Sequence, residues 1–181
     1  MANPRTLILL RHAAAGNAPR DHDRPLTQDG NRDAAAAGDW IREHVPSVDA
    51  VLCSTALRTR QTLAATRIKA PAIFADELYG GDIDDILGQV ALLPESAHTV
   101  LVVGHAPGIP SVAHELATVA ELAADGRSGP EADGDGPTPS PELQSLRSFS
   151  ACALAVLSTD ATWVQLPERG AGLVTVRHPD R

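Results

Sequence analysis

The chain has 181 residues and a formal net charge of −8, and 14 of its 15 basic residues are arginine. That length suits one domain with a sizeable core. An acidic chain whose single lysine is Lys69 is a poor match for nucleic acid or an anionic membrane surface, and neither is expected as a partner.

The apolar run at the N-terminus is too short for a secretory signal and leads straight into Arg11. No stretch approaches the roughly 20 apolar residues of a membrane span. Cys53 and Cys152 sit in apolar, strand-like runs and read as small buried hydrophobes, not as a disulfide framework. A cytoplasmic protein is expected.

Residues 5–10 read as a buried strand, followed by a polar loop over 13–25 with Gly16, Asn17, Pro19 and Pro25. Thr27 is placed to cap a helix whose first turn carries Asp29. Ala34, Ala37, Trp40, Ile41 and Val45 recur at helical spacing to about His44, and Pro46 ends the run. Residues 49–53 form a second strand, and a helix follows from about Thr55 to Arg67. Residues 71–75 suggest a short third strand. Residues 82–93 form a helix stopped by Pro94, residues 99–103 a fourth strand, and residues 108–122 a further helix. Residues 151–157 and 162–166 read as a hairpin turning at 158–161, with 170–176 as an edge strand.

Residues 123–141 differ in kind. They are rich in glycine, proline and acid and lack bulky apolar side chains, a composition that predicts a solvated, flexible loop. From Ala123 to Leu143 the net charge is −4, half of the total, so the remaining surface is closer to balance. Strands alternating with helices predict an α/β fold: a single-domain three-layer sandwich, its mostly parallel central sheet flanked by helices.

Three strand ends carry the chemistry. The first delivers Arg11-His12, the second leads into Ser54 and Arg58, and the fourth ends in Gly104-His105-Ala106-Pro107-Gly108. Ligands of parallel sheets bind beyond the strands' carboxyl ends, so two histidines and two arginines can meet in one pocket. A neutral imidazole among fixed cations is what phosphoryl transfer through a histidine requires. Each piece also has a plainer reading. Arg11 and His12 cap a strand, Ser54 caps a helix, and Arg60 and Arg67 are surface arginines. The small residues at 13–16 would let a phosphate approach the backbone. Asp76 and Glu77 offer a carboxylate for proton donation, or merely a solvated turn. No histidine pair has i, i+4 zinc spacing around a glutamate, so no metal and no cofactor is expected.

Together Arg11-His12, the Ser54…Arg58-Thr59-x-Gln61-Thr62 run, Gly104-His105-x-Pro107-Gly108 and the entry Pro25-Leu26-Thr27-x-x-Gly30 resemble the histidine phosphatase, or phosphoglycerate-mutase-like, superfamily. The compact build is similar to its SixA-type phosphohistidine phosphatases. The resemblance implies that His12 is the phosphorylated nucleophile and that Arg11, Arg58 and a protonated His105 bind the phosphate. It also places an acid near Glu77, with Asp76 equally open. The implied activity is metal-independent phosphatase chemistry through a phosphohistidine intermediate, with protein phosphohistidine as substrate. The enzyme alternative is a phosphomonoesterase or mutase acting on a small phosphorylated metabolite. The non-enzyme alternative is a phosphate-binding regulatory domain. Ala13 departs from the glycine that many members carry after the histidine.

Overall fold

Six strands form one sheet in the computed structural model, which describes residues 4–124 and 141–180, the side chain of Glu142 excepted. In chain order the elements are β1 (Arg5–Arg11), α1 (Gln28–His44), β2 (Ala50–Ser54), α2 (Leu57–Thr66), β3 (Ala72–Ala75), α3 (Ile83–Ala91), β4 (Thr99–Gly104), α4 (Gly108–Ala124), α5 (Pro141–Ser145), β5 (Leu154–Thr159), α6 (Leu166–Arg169) and β6 (Gly172–Arg177). Short 3-10 turns cover Asp21–Asp23, Asp76–Leu78 and Leu146–Ser148. The strand order is β3-β2-β4-β1-β5-β6. The first four are mutually parallel, and β5 and β6 extend the β1 edge antiparallel.

Strands β1, β2 and β4 are near-continuous apolar runs because both of their faces are covered. Alternation sends Leu7, Leu9, Val100 and Val102 into a core with α3 and α4. Ile8, Leu10, Leu101 and Val103 go to the opposite core, with α1 and α2. The expected three layers follow. Neighbouring strands β1 and β4 are thus followed by helices on opposite faces. That is a topological switch point, where open sheets leave a crevice beyond the strand ends.

Helix α1 starts where its sequence predicts: the Thr27 hydroxyl accepts the Gly30 N–H at 3.0 Å. Gly30 is required there, because a Cβ would lie 2.2 Å from the Ala14 carbonyl oxygen. This close approach fastens the loop after β1 to the helix that follows it. In α3, Asp82 and Asp85 form a reciprocal capping box.

Two expectations need correction. Residues 162–166 are not a strand; they turn into α6, and the partner of β5 is β6. Their apolar residues serve another purpose. Trp163 is fully buried, with its indole N–H donated to the Ala97 carbonyl at 2.8 Å, and Leu166 is buried beside it in the same core. The predicted loop over 123–141 overlaps a helix at each end. Helix α4 continues through Ala124, carried by good helix formers, and α5 begins at Pro141. Residues 125–140 lie outside the described residues. No helix among the described residues is long and apolar enough to cross a membrane.

Candidate active site

The register of β1 and β4 pairs Arg11 with Gly104, so the residues that follow, His12 and His105, emerge side by side. The backbone of His12 is held on both sides: its N–H donates to Gly104 at 2.9 Å and its carbonyl accepts the Cys152 N–H at 3.0 Å. In the side chain, Nδ1 lies 2.8 Å from the Ala13 carbonyl. A carbonyl only accepts, so Nδ1 carries the proton and Nε2 keeps its lone pair. Arg58 Nε donates toward that Nε2 at 3.3 Å. Burial, then the charges of Arg58, Arg11 and Arg24, push the His12 pKa down to about 4 against the pull of the Ala13 carbonyl. At neutral pH the ring is uncharged.

Arg58 occupies the first turn of α2 and is buried. Arg11 donates through Nη1 to the Phe149 carbonyl at 2.8 Å, while its buried Nε has no partner among the described residues. Burial lowers its pKa, yet a guanidinium stays charged at neutral pH.

His105 is buried, with its ring centroid 5.2 Å from that of His12. Its Nε2 lies 2.8 Å from the Oγ of fully buried Ser54. The expectation of a protonated His105 is not what this environment provides. Burial, then Arg58 and His12, push its pKa down to about 3. The Ser54 hydroxyl can donate to Nε2. This leaves a neutral ring whose Nδ1–H is buried and without a partner among the described residues. Ser54 therefore orients a histidine, which the reading of it as a helix cap did not anticipate.

The segment after β3 delivers a different side chain from the one sought. In a 3-10 turn, residues three apart lie on one side, so Asp76 and Tyr79 share a face and Glu77 does not. Asp76 accepts the Thr55 hydroxyl at 2.5 Å. Glu77 is exposed and makes no hydrogen bond or ion pair among the described residues. Tyr79 closes one wall, its ring edge-on to His105 at 5.4 Å and to His22 at 5.1 Å, with the Arg58 guanidinium 5.8 Å from its centroid. Tyr79 also donates to Asp21 at 2.8 Å. Asp21, His22 and Tyr79 are rim residues that the sequence reading missed.

The backbone at residues 13–16 is less open than expected. The Ala13 N–H is already donated to Thr62 Oγ1 at 3.0 Å, Ala13 is buried in the core with α1, and Ala14 lies against Gly30 in the first turn of α1. Among the described residues, no group of three His, Cys, Asp or Glu side chains is placed to hold a metal ion. The pocket supplies its positive charge through Arg11 and Arg58. It offers a neutral nucleophilic nitrogen, fixed cations and unpaired N–H donors within one crevice.

Comparison with known proteins agrees with this chemistry. Residues 7–92 match the family model described as histidine phosphatase superfamily (branch 1). A solved structure from Nakamurella multipartitia, assigned as a phosphohistidine phosphatase SixA, is 53% identical. It aligns over 98% of this chain and 98% of its own, with a TM-score of 0.88. A second, from Agrobacterium tumefaciens and likewise assigned, is 27% identical over 98% of this chain and 100% of its own, with a TM-score of 0.72. An uncharacterized protein of Mycobacterium tuberculosis is 46% identical over 112 residues, which is 61% of this chain and 71% of the relative.

Proposed function

Since the chain belongs to the histidine phosphatase superfamily and is a histidine-type phosphatase, we propose that His12 is its nucleophile and protein phosphohistidine its substrate. The observation that carries the first part is the tautomer of His12. With Nδ1–H held by Ala13 and a pKa of about 4, Nε2 presents a lone pair throughout the neutral and mildly acidic range. Nε2 attacks phosphorus, the bond to the leaving atom breaks in line, and water then hydrolyses phospho-His12. Arg11, Arg58 and the Nδ1–H of His105 hold the phosphoryl oxygens as charge moves onto them. Two guanidiniums supply the charge stabilisation that a metal would otherwise provide.

The substrate follows from the leaving group. An alkoxide needs a proton from a general acid; Glu77 is exposed and makes no hydrogen bond among the described residues, and Asp76 accepts the Thr55 hydroxyl instead of donating into the pocket. An imidazole whose distal nitrogen is already protonated departs without such help. Likeness to two proteins assigned as phosphohistidine phosphatases supports the same choice. Brief turnover followed by alkaline quench should trap acid-labile, alkali-stable phosphate on His12. Label on a serine or aspartate would overturn the nucleophile. A panel of phosphohistidine protein, sugar phosphates and an aryl phosphate tests the substrate, and preference for a sugar phosphate would overturn it.

A further inference from the structure

The turn at Asp21–Asp23 lies across the guanidinium of Arg58. Arg58 Nη1 donates to the Asp21 carbonyl at 2.7 Å, and Nη2 to the Asp21 carboxylate at 3.0 Å. The same carboxylate oxygen receives the Tyr79 hydroxyl at 2.8 Å, and the other receives Arg24 Nη1 at 3.1 Å. Held by Tyr79, Arg24 and Arg58, this carboxyl titrates well below the usual carboxylate range. It is therefore ionised throughout the working pH range and has no proton to give. Its side chain is nonetheless 54% exposed, and a carboxylate has about four acceptor positions, so it retains room for one more donor.

The Nε edge of Arg58 faces His12, while its two Nη groups face Asp21. One guanidinium thus separates a permanent anion from the nucleophile. Asp21 and Tyr79 form the exposed rim beside Arg58, and a leaving group that departs over this rim meets the Asp21 carboxylate. A leaving group with an acidic N–H finds an acceptor there. One with its own carboxylate or second phosphate finds a like charge.

We infer that Asp21 is a specificity-determining residue: it accepts the ring N–H of a phosphoimidazolium leaving group and rejects substrates that carry a second anion beside the phosphate. This rests on the phosphatase reading above and refines its substrate class. The step balances without a proton donor. The Nε2 lone pair of His12 forms the new N–P bond. The P–N bond of the substrate breaks, and its electron pair returns to the ring nitrogen that held phosphorus. The other ring nitrogen keeps its proton, so the imidazolium departs as neutral imidazole, hydrogen-bonded to Asp21.

Asp21→Asn keeps the shape and an acceptor for Tyr79 and Arg58 but removes the charge. We expect changes in kcat/KM relative to phenyl phosphate, whose leaving group carries no second anion. For N-phosphohistidine within an uncharged, end-blocked peptide the ratio should fall by about tenfold, and for 2-phosphoglycolate it should rise by about tenfold. Asp21→Glu, which restores the charge, should restore both ratios even if turnover is slower. A uniform loss on all three substrates would mean that Asp21 only braces Arg58 and would overturn the inference, as would unchanged ratios. If the wild type hydrolyses phenyl phosphate but not N-phosphohistidine, the substrate reading fails. In that case the imidazolium half of the inference falls with it, while the phosphoglycolate ratio still decides the anion-rejecting half.

Discussion

His12 and His105 stand with ring centroids 5.2 Å apart and planes tilted by 60°, although 92 residues separate them in the chain. The pairing of Arg11 with Gly104 across two parallel strands brings them together. Their closeness, their burial and their shared neighbour Arg58 all oppose a positive charge on either ring. The pocket therefore holds its cations on guanidiniums, which cannot lose them, and keeps its imidazoles neutral, one with a lone pair for the proposed attack and one with an N–H to donate.

This division gives a pH dependence with a definite sign. Below about pH 4, protonation removes the His12 lone pair, so kcat/KM should fall tenfold per pH unit on an acid limb near 4. The apparent value belongs to the coupled pair. Folded pKa values of about 4 and about 3 lie below the ordinary 6.5. The unfolded chain thus binds protons first, and stability present above pH 6.5 is lost as pH falls towards 3. A His12→Gln, His105→Gln double variant should show a shallower decline in denaturation midpoint between pH 7 and pH 4. A decline as steep as that of the wild type would mean that other groups dominate.

Ser54→Ala should separate orientation from folding. It removes the hydroxyl that lies 2.8 Å from His105 Nε2 and frees the ring to carry its proton on either nitrogen. Loss of one buried hydrogen bond costs about 1 kcal/mol of stability, whereas kcat should fall by about tenfold or more with KM little changed. A loss confined to stability would show that His105 needs no such partner.

The sequence revealed most of this site because each motif ends a strand whose apolar run is unmistakable, and the parallel-sheet rule gathers strand ends. It failed where side-chain direction depends on local winding. In Asp76-Glu77-Leu78-Tyr79 the nature of the residues pointed to a carboxylate. The 3-10 turn instead sends Tyr79 inward and leaves Glu77 outside. Asp21 and His22 lie in a polar loop with no periodicity to read, and their role appears only once Arg58 lies beneath them. The lost hairpin has a similar origin: Trp163 and Leu166 are apolar because they fill the core from a turn, not because they alternate along a strand.

Gly30→Ala tests how tightly the loop after β1 is tied to α1. The added Cβ would meet the Ala14 carbonyl oxygen at 2.2 Å and the Ala14 nitrogen at 3.0 Å. Both are backbone atoms, so the helix or the loop must shift, and overpacking of this kind costs about 1–3 kcal/mol. The same loop carries Asp21 over Arg58 and includes Ala13, which fixes the His12 tautomer. Thermal unfolding should drop by several degrees, and activity should fall further than stability at a temperature where the variant is folded. A variant as stable as the wild type would show that this contact is looser than its geometry.

The turn after β3 supplies the sharpest test of where a proton donor lies. Glu77 is exposed and makes no hydrogen bond or ion pair among the described residues, so Glu77→Gln should leave both alkyl phosphate and phosphohistidine hydrolysis within about twofold of wild type. Tyr79→Phe keeps the ring against His105 but removes the hydroxyl that holds Asp21. Both substrates should then slow by about three- to tenfold as Arg58 loses part of its brace. Tyr79→Ala, which also removes the wall beside His105 and the aromatic face near Arg58, should slow both substrates further. General acid catalysis is worth about 10²–10⁴-fold for a leaving group that needs it. A loss of that size with Glu77→Gln, on the alkyl phosphate alone, would identify Glu77 as the acid. It would require the turn to rewind when substrate binds, and the preference for phosphohistidine would lose its basis in the leaving group.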